Sequence, residues 1–229
     1  MAKIIHVMNA SSRKDTGITE ELSRTLEPLR FPGGPEIDCV TLEDGPNGIT
    51  TSRDSDLAAV AVARFIEERH ELPDTGAFVV ACFSDPGIAA AREFSSRPVL
   101  GIGEAGVMTA LAFGGQLGLI SVSAGSEGKN RRALRALGVE ARLAGAAALG
   151  LDYGDLRRPE RVLGRLIEVG ASLRELGAGS LLFAGAGMGR YCAQLEQAVG
   201  LPVVDPTQAA VGLALSRVRL AAAAGAGAA

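Results

Sequence analysis

Eight short apolar runs, each followed by a stretch of helical periodicity, set the strongest limit on how this chain can fold. The runs read as strands at 3–8, 37–41, 77–82, 99–102, 117–122, 142–146, 180–184 and 203–204. Helical patterns lie between and after them, at 19–29, 54–71, 88–94, 104–114, 129–137, 159–176, 188–199 and 206–221. The strand segments are apolar almost throughout and do not alternate, the pattern of parallel strands covered on both faces. Strand–helix alternation of this kind predicts an α/β fold with parallel sheets and right-handed crossovers. Ligands in such folds bind beyond the carboxyl ends of the strands, so functional residues are sought there.

The pattern also repeats. "AFVVACFSDPG", from Ala77, and "SLLFAGAGMG", from Ser180, are both strand-then-turn segments roughly a hundred residues apart. Each leads into a helix and then a "PV" strand, "RPVLGIGEAG" in one case and "LPVVDPTQAA" in the other. The repeat predicts two similar lobes, with these two turns facing each other across a cleft. The first lobe takes 1–100 and, through the last helix, 205–229; the second takes 101–204.

Composition narrows the function classes. With 229 residues, 47% hydrophobic and 21% charged, the chain can bury a core and is not disordered. A net charge of −3, no Trp and no basic cluster interleaved with aromatics point to a small-molecule partner and not to nucleic acid. The opening "MAKIIHVMNASS" is too short for a signal segment, and no apolar stretch reaches the ~18 residues of a membrane span. Three cysteines without a CxxC pair fit the reduced thiols of a cytoplasmic protein. His6 and His70 stand apart from any metal-ligand spacing, so no metal is expected. No P-loop or G-x-S-x-G motif is present. The alanine-rich tail at 221–229 is expected to fray, and homo-oligomerisation is left open.

Cys82 ends an apolar run where the chain leaves its sheet, so its thiol can meet both solvent and ligand. The helix that follows would favour a thiolate, able to act as base or nucleophile. A buried thiol acting as a small hydrophobe is the plainer alternative. Cys39, inside a strand, and Cys192, in a later helix, read as packing. "MNASSR", from Met8, closes the first strand, and Asn9, Ser11 and Ser12 offer short donors for a carboxylate or carbonyl oxygen, or simply cap a helix. "GIGEAG", from Gly101, has G-x-G-x-x-G spacing between a strand and a helix, with Glu127 after the next strand, a weak dinucleotide signal in a chain with 30 glycines.

"FVVACFSDPG", "RPVLGIGEAG" and "LPVVDPTQAA", in that order along the chain, and also "GPNGITTSRDSD", resemble blocks of the hydantoin racemase family within the aspartate/glutamate racemase superfamily. The family blocks read Ala-Cys-Phe-Gly-Asp-Pro-Gly, Arg-Pro-Val-x-Gly-x-x-Glu-Ala, Val-Pro-Val-x-Asp-Pro and Gly-Pro-x-x-Ile. The resemblance covers nearly the whole chain. It implies two pseudosymmetric flavodoxin-like α/β lobes with parallel sheets, a cofactor-free active site between them, and a thiol from each lobe. One thiolate takes the Cα proton and the other thiol delivers one to the opposite face. Cys82 matches the first thiol. The block that should hold the second, Leu-Gly-Cys-Ala-Gly-Met, here reads "FAGAGM", with Gly185 in the cysteine's place. Arylmalonate decarboxylases of the same superfamily also keep one thiol, in the other lobe.

The site expected from these readings has Cys82 as acid/base and Asn9, Ser11, Phe83, Ser84, Gly185, Ala186 and Gly187 as contacts to a substrate carrying a carboxylate or cyclic imide. Proton transfer at a carbon next to a carbonyl, as in a racemase or epimerase, ranks first. A single-cysteine decarboxylase and a non-catalytic ligand-binding protein follow.

Overall fold

The computed structural model describes residues 3–13, 17–122, 124–151, 155 and 158–226. Its contacts divide the chain into two compact units. One runs up to Ile102 and resumes at Thr207; the other spans Gly103–Pro206.

The first unit holds β1 (Ile4–Asn9), β2 (Glu36–Thr41), β3 (Thr75–Val80) and β4 (Val99–Gly101), in the order β2-β1-β3-β4 and all parallel. The central strands carry Ile5, Val7, Met8, Phe78, Val79 and Val80, none of them exposed. A parallel sheet covered on both faces has no polar side, which is why these strands do not alternate. The edge strand β2 reads "EIDCVT", and only Ile37 in it is buried. Around the sheet lie α1 (Ile18–Leu26), α2 (Ser52–Glu67), α3 (Ile88–Phe94) and, from Thr207 onward, α8 (Pro206–Ala226). Met8, Ala58, Val62, Ile66, Phe78, Val80 and Val99 form one core between sheet and helices.

The second unit holds β5 (Gln116–Ser121), β6 (Leu143–Ala148), β7 (Ala178–Phe183) and β8 (Val203–Val204), again parallel, in the order β6-β5-β7-β8. This is the order of the first sheet, so the sequence repeat is a repeat of topology. Its helices are α4 (Ile102–Ala112), α5 (Glu127–Ala136), α6 (Pro159–Glu175) and α7 (Cys192–Val199). Leu166, Val169, Leu181, Phe183, Tyr191 and Leu195 are the centre of its core.

Most boundaries move by a few residues from the sequence reading, and three of the differences bear on the site or the chain end. β3 stops at Val80; Ala81 N–H makes a last bond to Met8 O (2.8 Å) and the chain then turns, so Cys82 stands beyond the strand. The helix expected over 188–199 is a 3-10 turn at Gly189–Tyr191 followed by α7. The alanine run carries α8 on to Ala226 where fraying was expected, in keeping with alanine's helix propensity. Residues 227–229 of that tail lie outside the described residues. Among the described residues no helix is long and apolar enough to cross a membrane.

The start of α2 is fixed by a capping box. Thr51 Oγ1 accepts from Asp54 N–H (3.2 Å), and the Asp54 carboxylate accepts from the backbone of Thr51 (2.8 Å) and Thr50 (3.1 Å). These bonds, the Thr51 backbone first, hold the Asp54 carboxyl down to about 2. A depressed carboxylate stabilises the fold above its unfolded value near 3.9, and that contribution is lost as pH falls toward 2. Thr51→Ala is expected to cost about 1 kcal/mol at neutral pH. Asp54→Asn should lower Tm at pH 7 and flatten its fall between pH 4 and pH 2, measured by thermal unfolding across that range.

Candidate active site

The carboxyl ends of β1, β2 and β3 bring together residues far apart in the chain. Cys82, half-buried, sits two residues past β3 and packs against the first unit's core. Its turn closes through Asp85 N–H to Cys82 O (2.9 Å). The thiol lies 3.3 Å from Ser84 Oγ, and Ser84 Oγ accepts from Ser55 Oγ on α2 (3.0 Å). Phe83, expected to touch substrate, is buried in the structure.

On the neighbouring strand ends Asn9 organises a polar cluster. Its amide donates to Ser11 O (3.1 Å) and to Thr41 Oγ1 (3.2 Å), and its side-chain oxygen accepts from Ser11 Oγ (3.2 Å). Thr19 Oγ1 joins through Thr41 Oγ1 at 2.6 Å. Both amide hydrogens of the buried Asn9 are thus committed to shaping the strand end. Ser12 N–H donates to Pro46 O (2.9 Å), which ties this loop to the "GPNGI" segment.

The Cys82 turn is strained and braced. Asp85 has φ 47°, in the left-handed region that costs a non-glycine residue roughly 1 kcal/mol or more. Its carboxylate lies where a side chain on Gly101 would stand. Gly101 is therefore required by the approach of Asp85. Of the other glycines in "GIGEAG", Gly103 and Gly106 are inside α4, and Gly106 makes room for Pro206 and Leu182. The spacing thus serves packing: no glycine loop precedes the helix to cradle a pyrophosphate. Glu127 is also accounted for, since it opens α5 and pairs with Arg131 (3.3 Å).

In the second unit the turn after β7 contains Ala184, Gly185, Ala186 and Gly187, all half-buried. Gly187 takes the positive φ of this turn (85°), whereas Gly185 does not. Nothing lies within 4 Å of the place a Cβ on Gly185 would occupy. Gly185 lines a small, mainly apolar pocket with Ile120, Ser121, Leu149, Phe183 and Met188. Ser121, the last residue of β5, occupies the position in the second sheet that Asn9 occupies in the first. Sequence reasoning did not single out Ser121, Thr41 or Ser55.

The other two thiols are held protonated. Burial pushes Cys39 up to about 11, against a smaller opposing pull from Arg30, and Asp38 adds a lesser push upward. Burial, followed by Asp205 and Glu196, pushes Cys192 up to about 12. At pH 8 their thiolate fractions are on the order of 10⁻³ and 10⁻⁴, and the thiolate is the form that alkylates. Iodoacetamide at pH 8 is therefore expected to label Cys82 at least about tenfold faster than either. Peptide-resolved mass spectrometry checks this, and equal labelling of Cys39 would contradict it.

The model of the Asp/Glu/Hydantoin racemase family matches residues 5–214. A hydantoin racemase of Paenarthrobacter aurescens is 30% identical over 220 residues, covering 94% of this chain and 91% of the relative. Among solved structures, an allantoin racemase from Klebsiella pneumoniae aligns with a TM-score of 0.84 at 29% identity, over 96% of this chain and 89% of that one. Arylmalonate decarboxylase aligns at 15% identity with a TM-score of 0.62, over 94% of this chain and 92% of that one, a likeness of fold.

Proposed function

The chain belongs to the Asp/Glu/hydantoin racemase family, and on that premise we propose that Cys82 is the group that moves a proton at a carbon next to a carbonyl. Membership makes the protein an isomerase acting on a small molecule. The named relatives act on hydantoin and allantoin, cyclic ureides, and a substrate of that class is proposed here. The observation that carries the reading is the place of Cys82: a half-buried thiol just beyond a central strand of a parallel sheet, on a braced turn, with the Asn9–Thr41 cluster on the adjacent strand ends. That is where an open α/β sheet keeps its chemistry.

The chemistry follows from the acid involved. A hydrogen beside a carbonyl is too weakly acidic to leave unless the developing oxyanion is met by donors. We assign that role to backbone N–H groups of the turn that carries Cys82, at Phe83 and Ser84, with Asn9 and Ser11 holding the strand-end loop beside it. The Cys82 thiolate takes the hydrogen and becomes a thiol, and the substrate becomes a planar enolate. Returning the proton from Cys82 restores the starting enantiomer. Inversion needs an acid on the other face; the family resemblance gives that role to the position of Gly185, which carries none. No cofactor enters this scheme.

The test is incubation of single-enantiomer hydantoins and allantoin in D2O. Deuterium should enter the chiral carbon faster than optical rotation is lost. Absence of both exchange and rotation change across these substrates would refute the reading. A one-thiol lyase is the second reading, favoured by the bare Gly185; carbon dioxide release from a malonate-type acid would establish it.

A further inference from the structure

We infer that Ser84 is a positioning residue for Cys82, its hydroxyl donating to the sulfur and holding the thiolate form, with Ser55 fixing the hydroxyl's direction. The geometry is specific. Ser55 Oγ donates to Ser84 Oγ at 3.0 Å, which uses a lone pair of Ser84 and leaves Ser84's own hydrogen for another acceptor. The sulfur of Cys82 stands 3.3 Å from that oxygen, an ordinary O–H···S separation. A donor to sulfur stabilises a thiolate more than a thiol, because charge-assisted hydrogen bonds are the stronger kind. Ser55 is itself placed by the capped first turn of α2: its N–H donates to Thr51 O (3.2 Å). The chain from Thr51 to the thiol thus runs through α2 and the strained turn, two rigid supports. The racemase block that this segment resembles has glycine in place of Ser84, so this chain adds a hydroxyl to the thiol at hand.

The need for such a donor is local. The charged groups on the surrounding elements are Asp85 in the turn itself, Arg53, Asp54 and Asp56 at the start of α2, Arg92 and Glu93 on α3, and Glu43 and Asp44 after β2. Asp54 is engaged in the capping box, Arg92 donates to Val99 O (2.9 Å), and Asp44 pairs with Arg64 (2.7 Å). The Ser84 hydroxyl stands within hydrogen-bond distance of the sulfur.

The experiment is peptide-resolved iodoacetamide labelling of Cys82 from pH 6 to pH 10 in wild type, Ser84→Ala, Ser84→Thr and Ser55→Ala. The labelling midpoint is expected to rise by about 1 pH unit in Ser84→Ala, and by less in Ser55→Ala. Ser84→Thr, which keeps a hydroxyl, should restore the wild-type midpoint. A midpoint within about 0.2 units of wild type in both alanine variants overturns the inference, as does a shift in Ser84→Thr equal to that in Ser84→Ala. Ser55→Ala leaves the Cys82 turn untouched and gives a reading even if Ser84→Ala fails to fold. The functional meaning rests on Cys82 being the proton-transfer group, but labelling needs no substrate. If Cys82→Ala still racemised while Ser84→Ala moved the midpoint, the proposed function would fail and this inference would stand.

Discussion

Replacing Cys82 with alanine is expected to abolish turnover and leave the fold in place. General acid–base groups contribute about 10²–10⁴-fold. In the single-thiol scheme no second group takes over, so a loss of at least about 10³-fold is expected in deuterium wash-in. The stability cost should be small. Cys82 is half-buried and past the end of β3, and Cys→Ala deletes one heavy atom at the edge of the core around Phe78 and Val80. About 1 kcal/mol is the scale for removing one methylene-sized group. The same change at a fully buried residue such as Phe78 would cost about 3–5 kcal/mol. Wild-type wash-in by the alanine variant, with an unchanged Tm, would refute the thiol mechanism; a large fall in Tm would mean that Cys82 is a packing residue first.

The sequence carried the fold because both sheets are parallel and covered, a state that demands apolar runs, and each run is separated from the next by a helix. Boundaries were less legible. β3 ends at Val80, where its register with β1 runs out, and no local pattern announces that point. Cys82 was legible as a thiol where the chain leaves a sheet. Its partners were not: Ser55 is 29 residues from Ser84, and Thr41 is 32 from Asn9, joined only by the parallel register and the packing of α2. The glycines of "GIGEAG" misdirect for a physical reason. Glycine serves close approach wherever it occurs, and here what approaches Gly101 is the Asp85 carboxylate, with Pro206 and Leu182 at Gly106. The backbone of Gly185 was equally hidden, since its neighbour Gly187 takes the positive φ that the turn needs.

That last point decides the expected outcome at Gly185. Gly185→Cys is expected to raise two-way racemisation of single-enantiomer hydantoins by at least about 100-fold over wild type, the usual return on one added acid. Two obstacles could be imagined. Strain is the first, and it is absent: Gly185 is outside the left-handed region, and nothing stands within 4 Å of the position its Cβ would take. Loss of substrate space is the second, and it separates from the first by measurement, since a blocked site raises KM whereas a misplaced acid lowers kcat. The surroundings suit a proton donor. Ile120, Leu149, Phe183 and Met188 line the same pocket, and apolar walls keep a thiol protonated. The serine pair beside Cys82 favours the opposite state. A thiolate base and a thiol acid are the two protonation states that one-pass inversion requires. Gly185→Ser is the control: a hydroxyl of similar size is a far weaker acid and should leave racemisation near the wild-type rate. Polarimetry with deuterium counting reads the result, and in the cysteine variant loss of rotation should catch up with deuterium uptake. If the unmodified protein already racemises in both directions as fast as it exchanges, a base other than Gly185's missing thiol opposes Cys82, and the single-thiol reading is wrong.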